Sequence, residues 1–251
     1  MNDPVRSLYT YIVSVKTFTQ RQQSISSQLN EVGLRYEFIF RYDPEDFSSD
    51  PPGIVFDERS NLTPGERSAV AKHAEAWRLG VESNATLVLV LEDDALLTDN
   101  FLTRLNKVVT TIDTLQAGLL INLGCANART PKEFNQSKEY LRMAPIETAE
   151  AYSTDHVGLR RRLDWLAKNE VNEPADHLIK RIDACVGTVQ YWTMDPLVEQ
   201  GSLTGRFKGS LDANRAATNS LLLYAGYLFR KYKRRVIPKI IARLIRKKNS
   251  R

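Results

Sequence analysis

Apolar residues arrive along this chain in short bursts separated by longer amphipathic stretches, and the spacing inside each stretch predicts its element. YIVSV at 11–15 and YEFIF at 36–40 are β-rich runs. The polar stretch between them reads as a helix through Leu29 that ends near Gly33, giving strand, helix, strand at the spacing of a parallel βαβ unit. DPEDFSSDPPG at 43–53 is a loop by its Pro, Asp and Ser content. The clearest helix start follows, with Thr63 as N-cap, Pro64 at the first helical position and Glu66 completing a capping box. That helix is expected to reach about Val81. Val70, Ala74, Trp77 and Val81 form its apolar stripe, and His73 falls on the adjoining face.

ATLVLVL at 85–91 is an almost unbroken aliphatic run, as suits the covered centre of a parallel sheet. A helix over about 99–115 and a core strand in GLLINLG at 118–124 continue the alternation. Residues 125–160 carry little periodicity and are expected to be a loop with one or two short strands. Beyond it, 155–169 and ADHLIKRI after Pro174 read as helices, TVQYWTM at 188–194 as a strand, and DPLVEQGSLTGRFKGS as extended and turn-rich. Alternating strands and helices argue for an open α/β sheet.

Composition adds a division of charge. With 251 residues, 42% of them hydrophobic, the chain can build one sizeable core. The expected organisation is a main domain over 1–212 and a tail over 213–251. Residues 230–251 hold eleven Lys/Arg and no acid, more than the whole chain's net charge of +5, so the remainder stands at −6. LYTYIVSV follows an acidic start and lacks a small-residue cleavage site, so it reads as a core strand and not a signal peptide. Cys125 and Cys185 have neither CxxC spacing nor a histidine pair, and are expected to be free buried thiols in a reducing compartment. Asn61-Leu-Thr63 and Asn135-Gln-Ser137 fit the glycosylation pattern, which has meaning only in a secreted chain.

The candidate chemistry lies where LVLVL runs into Glu92, Asp93 and Asp94. The carboxyl end of a central parallel strand opens into the crevice where open α/β sheets bind ligands. Three acids there must repel one another or share a cation. Hard ions such as Mg²⁺ or Mn²⁺ take oxygen ligands, usually one or two protein carboxylates with substrate phosphates completing the shell. An acidic strand end that simply starts the next helix is the plainer alternative. The chain has no GxxxxGK[ST], which removes a P-loop ATPase, and SVKTFTQR stands where a dinucleotide fold would carry GxGxxG.

YIVSVKTFTQRQQSISSQLNEVGLRYEFI, LTPGERSAVAKHAEAWRLGVE and LVLVLEDDALL, followed by EPADHLI and DPLVEQGS, resemble in this order glycosyltransferase family 25, which includes bacterial lipooligosaccharide galactosyltransferases. The resemblance spans about residues 8–210. It implies a GT-A-type nucleotide-binding α/β sandwich with a central, mostly parallel sheet, and a metal-dependent, inverting transfer of a sugar from a UDP-sugar. Mn²⁺ or Mg²⁺ would sit on Asp94 and Glu92. The donor would meet Val15, Arg21, His73, Glu92 and Asp93, with Gln200 and Ser202 in a loop that orders over donor and acceptor. Asp176 matches the late acidic position and would be the base that deprotonates the acceptor hydroxyl, on a saccharide or lipid-linked saccharide. Two departures stand out: Ser14-Val15-Lys16-Thr17 replaces the family's Asn-Leu-acid-Arg run, and Lys72 stands where serine is common. The first keeps open a different class, a non-catalytic relative that keeps the glycosyltransferase fold as a binding module.

The tail supplies the last expectation. Its apolar cluster at 221–229 is shorter than the roughly 20 residues needed to span a bilayer. Val236, Ile237, Ile240, Ile241, Leu244 and Ile245 then recur at helical spacing among cations. Such a helix can lie on an anionic membrane surface, which would make the protein cytoplasmic and peripheral on the inner face of the membrane. No stacking platform or reading motif accompanies the charge, so nucleic acid is not an expected partner. Packing against the domain, or in a homodimer, is the other use of such a helix.

Overall fold

The computed structural model describes residues 8–46, 50–83, 85–112, 114–124, 141–143, 148–193, 195–208 and 220–249. Its central sheet is built from β1 (Tyr9–Val13), β2 (Glu37–Ile39), β4 (Leu87–Glu92), β6 (Leu119–Asn122), β7 (Leu141–Met143), β8 (Ala151–Asp155) and β10 (Val189–Thr193). Their order is β2-β1-β4-β8-β6-β10-β7. β2, β1, β4, β6 and β10 run the same way, and β8 and β7 run against them. The sheet is therefore mostly parallel, as its alternation with helices predicts. One neighbour corrects the expectation for β4: it pairs parallel to β1 but antiparallel to β8. β7 and β8 are short strands of the kind expected within 125–160; the bounds of β8, AYSTD, are hidden in the sequence because its polar residues mask the period-two signal while both faces are buried.

Two small pairs flank the sheet. β5 (Ala95–Leu97) meets β11 (Val198–Gln200) antiparallel, and β3 (Val55–Phe56) meets β9 (Glu170–Val171) in parallel.

β4 shows why the sheet is covered on both sides. Val88 and Val90 face one apolar layer, which includes Val70, Ala74, Trp77, Leu159 and Ile182; Leu87, Leu89 and Leu91 face the other, with Ile25, Leu29, Phe101, Leu105 and Val108. The first layer belongs to helices α2 (Pro64–Glu82), α4 (His156–Leu166) and α5 (Ala175–Val186), the second to α1 (Thr19–Glu31) and α3 (Phe101–Ile112). Alternate side chains of one strand serve two cores, so an unbroken aliphatic run is what the site requires. α2 begins with the expected capping box: Glu66 N–H donates to Thr63 Oγ1 at 3.2 Å, and Thr63 N–H to Glu66 Oε2 at 2.8 Å. Gly80 lets this helix lie close, since a Cβ there would come within 2.8 Å of both Leu159 and Val88.

Arg162 is fully buried and forks onto Asp183 at 2.7 and 2.9 Å, with Thr154 Oγ1 accepting a further bond at 2.8 Å. This ties α4 to α5 and to β8. Charges taken out of water need such paired, hydrogen-bonded geometry.

Short α6 (Gly201–Thr204) follows β11, and the described chain ends in α7 (Ser220–Lys231), a π turn over Tyr232–Val236 and α8 (Ile237–Asn249). Pro238 accounts for the π turn, since its ring would clash with the carbonyl of Arg234 in a continuing α-helix. Among the described residues no helix is long and apolar enough to cross a membrane. Cys185 is exposed on α5, contrary to the expected buried thiol. Cys125 and the Asn135 pattern lie outside the described residues.

Candidate active site

β1 and β4 lie side by side with Val13 opposite Glu92, so Ser14 and Asp93 leave the sheet together. Asp93 N–H donates to Val13 O at 3.0 Å, and Ser14 Oγ donates to Asp93 Oδ2 at 2.7 Å. Arg21, on the first turns of α1, donates to Asp93 Oδ1 at 3.1 Å, and its guanidinium also bonds Lys208 O and lies over the Phe18 ring at 4.7 Å. Arg21 is thus paired with a carboxylate of the triplet. Gln22 Nε2 fixes the first loop through Val15 O at 2.7 Å, with longer bonds to Ser14 Oγ and Lys16 O.

Behind this loop lies a buried pair that the sequence did not announce. Lys72, on α2, is 1% exposed and bonds both Ser14 O and Asp43 Oδ1. Asp43 Oδ2 accepts from Lys16 N–H at 3.0 Å. Burial pushes the Lys72 ammonium down from its ordinary value, and the Asp43 contact opposes that. Tyr42, just before Asp43, has φ of 68°, a left-handed conformation that non-glycine residues rarely adopt. Ser68 Oγ holds it by donating to Tyr42 O at 2.6 Å. Lys72, Asp43 and Ser68 together shape the wall of a cavity of about 350 Å³, lined also by Val15, Lys16, Phe18, Arg21, Glu92 and Asp93.

The three acids have distinct surroundings. Asp93 is paired with Arg21 and accepts a hydrogen bond from Ser14, although burial still raises its carboxyl. Asp94 is 2% exposed; its Oδ2 accepts from Ser202 N–H at 3.0 Å and its backbone O from Gly201 N–H at 2.7 Å, while Oδ1 is buried without a hydrogen-bond partner. Gly201 has to be glycine for this approach, as a Cβ would come within 2.8 Å of Asp94 O and 2.5 Å of the Phe207 ring. Glu92 is pushed up to about 8, first by burial and then by the charges of Asp94, Asp93 and Asp176.

His73 stands beside Glu92, its Nε2 3.7 Å from Glu92 Oε1. Trp77 Nε1 donates to the Tyr152 hydroxyl at 2.8 Å, and that hydroxyl shares a hydrogen bond with His73 Nδ1 at 3.0 Å. Burial holds the ring at about 4, so it is neutral.

The structure brings Val15, Arg21, Glu92 and Asp93 to one cavity. Asp94, Ser202 and His73 sit behind it, with Ser202 acting through its backbone N–H. Gln200 is the N-cap residue of α6 and makes no side-chain cap bond. Asp176, in the first turn of α5, is half-buried, and its charge reaches both Glu92 and His73. Among the described residues no three His, Cys, Asp or Glu converge to hold a metal ion by themselves.

A family model described as glycosyltransferase family 25, LPS biosynthesis protein, matches residues 8–169. A curated relative from Acanthamoeba polyphaga mimivirus, whose name provisionally assigns it as a glycosyltransferase, is 27% identical over 124 residues, 47% of this chain and 38% of its own. The chain thus spans less than half the length of that relative. A solved structure, mannose-1-phosphate geranyltransferase from Thermus thermophilus, aligns over 74% of this chain and 73% of its own with 10% identity and a TM-score of 0.30, too loose a likeness to bear on the site.

Proposed function

The chain belongs to glycosyltransferase family 25, and from that premise we propose that it moves a sugar from a UDP-sugar to a saccharide acceptor with inversion, using a divalent ion in a GT-A-type fold. Galactose is the first sugar to test and a lipopolysaccharide or other lipid-linked saccharide the first acceptor, met at the inner face of the membrane. The observation that carries the reading is the acid triplet at the end of β4, beside a cavity formed at the end of β1.

The donor set fits Mg²⁺ or Mn²⁺. Asp94 Oδ1 is buried without a partner, and Glu92 is held up first by burial and then by neighbouring negative charge; a cation would pair the one and offset the charge on the other. Such an ion needs only one or two protein carboxylates when phosphate oxygens complete its shell. When bound, it supplies Lewis-acid stabilisation to the departing diphosphate. The protein's own residues then divide the work. Lys72, Asp43 and the loop at 14–16 give the nucleoside a rigid polar wall. Arg21 opposes the burial that raises Asp93 and holds its carboxylate in place. Ser202 N–H and Gly201 N–H aim Asp94. Asp176 takes the proton from the acceptor hydroxyl as that oxygen attacks the anomeric carbon opposite the leaving group.

The test is calorimetric binding of UDP with Mn²⁺ present. Asp94→Asn, with its circular dichroism unchanged, is expected to lose most of the metal-dependent affinity. UDP affinity equal to that of the parent would overturn the assignment. A screen of nucleotide sugars for Mn²⁺-dependent hydrolysis then identifies the donor.

A further inference from the structure

Residues 220–249 are the largest part of the described chain that sugar transfer does not use. Their root is seated: Tyr227 is 1% exposed, α7 packs on α6, and Lys231 Nζ bonds Glu199 of β11. The rest turns apolar side chains to solvent, with Leu222 at 69%, Phe229 at 66%, Leu244 at 63% and Ile245 at 56% exposure. In α8, Ile237, Ile240, Ile241, Leu244 and Ile245 recur at i, i+3, i+4, i+7 and i+8, which makes one continuous stripe. A contiguous apolar face of this kind marks a surface that something covers.

Charge decides what covers it. The eleven Lys/Arg of residues 230–251 have no acid among them. A second copy of this chain would bring an equally cationic arm to the same stripe, and like charges at short range repel. Nucleic acid would pair the cations but leave the isoleucines in water. An anionic bilayer answers both, with acyl chains for the stripe and headgroups for the cations. α8 has 13 residues. At about 1.5 Å per residue it is roughly 20 Å long, short of the ~30 Å hydrocarbon core, so it can lie in the surface but not cross it.

We propose that residues 220–249 dock the protein flat on an anionic lipid bilayer, and that the Lys231–Glu199 contact registers the candidate site against that bilayer. β11 carries Glu199 and runs directly into Gly201 and Ser202, whose N–H groups hold Asp94. The arm is therefore rooted on the segment that braces the acid triplet. That a lipid-linked acceptor is thereby delivered to the site rests on the proposed function; the docking itself does not.

The experiment is sedimentation of the full chain with vesicles of phosphatidylglycerol and phosphatidylcholine, and with phosphatidylcholine alone. Binding is expected to the anionic vesicles only, and to weaken on the order of tenfold or more as salt rises from about 0.05 to 0.5 M. Ile241→Ser with Leu244→Ser, both exposed, should weaken it on the order of a hundredfold by removing buried apolar surface, with circular dichroism and metal-dependent UDP binding unchanged. Phe229→Trp should show a blue-shifted emission on anionic vesicles. No anionic binding at low salt, binding indifferent to the double substitution, or a dimer in sedimentation velocity that the same substitution dissociates would overturn the docking. If vesicle binding holds while no sugar transfer is found, the transferase reading fails and the docking stands.

Discussion

Replacing Glu92 with Gln is expected to make the ligand-free protein more stable, by a margin that grows with pH. The Glu92 carboxyl is raised from an ordinary 4.5 to about 8 by burial and by Asp94, Asp93 and Asp176. Between those values the folded chain keeps a proton that the unfolded chain has released, so stability is lost as pH rises through the window. At about 1.4 kcal/mol per pH unit the window has a ceiling of roughly 5 kcal/mol. The side chain is 28% exposed, so water screens the clustered charges. A gain of about 1–2 kcal/mol near pH 8, shrinking to almost nothing near pH 4.5, is the expected result. Glutamine preserves the size and an oxygen toward His73 while removing the charge. Urea unfolding without divalent ions, at about pH 5, 6.5 and 8, reads the difference directly. With saturating Mn²⁺ and UDP the order should reverse, because ligands that bind the native parent stabilise it by mass action. A variant no more stable than the parent near pH 8, or a margin independent of pH, would refute the account of Glu92 as a strained carboxyl.

Lys72→Met is expected to destabilise by about 3–5 kcal/mol, since Asp43 would stay buried without its cation. Adding Asp43→Leu should restore much of the stability without restoring UDP binding; a single-variant loss below about 1 kcal/mol in urea unfolding would show that the pair is not structurally buried. Asp176→Asn should keep donor affinity and slow transfer by roughly 10²-fold or more, the usual contribution of a positioned base, and near-normal transfer would move the role to another carboxylate.

Much of the fold was legible because its signals are local. The α2 capping box is four consecutive residues, and the run at 87–91 needs no partner to be read as a buried strand. β8 was legible only as one of the short strands expected within 125–160, without its bounds, for the opposite reason. Tyr152, Ser153 and Thr154 are fully buried, yet a sequence containing serine and threonine looks half-exposed; only the sheet explains the burial, with Ser153 Oγ donating to Val88 O and Thr154 Oγ1 to Leu119 O. Polar side chains that spend their hydrogen bonds on neighbouring strands leave no periodic trace.

The same distinction divides the site. Three adjacent carboxylates are conspicuous in one dimension, whereas their control is assembled from distant segments. Asp43 lies in a Pro-, Asp- and Ser-rich loop, and the sequence marks Lys72 only by its standing where serine is common. Their meaning appears when α2 brings Lys72 to the loop after β2, because a buried ammonium demands an anion and Asp43 supplies it. Asp94 makes the converse case. The sequence marks it as a ligand, and in the fold one oxygen is already held by Ser202 N–H while the other is orphaned. A carboxylate fixed on one side and left unsatisfied on the other would lose little further freedom on binding the proposed cation. The segment that provides this orientation carries Glu199 three residues before Ser202, and through Lys231 it is joined to the basic arm. Glu199, Gln200, Gly201 and Ser202 thus lie in sequence between the root of the basic arm and the backbone that holds Asp94.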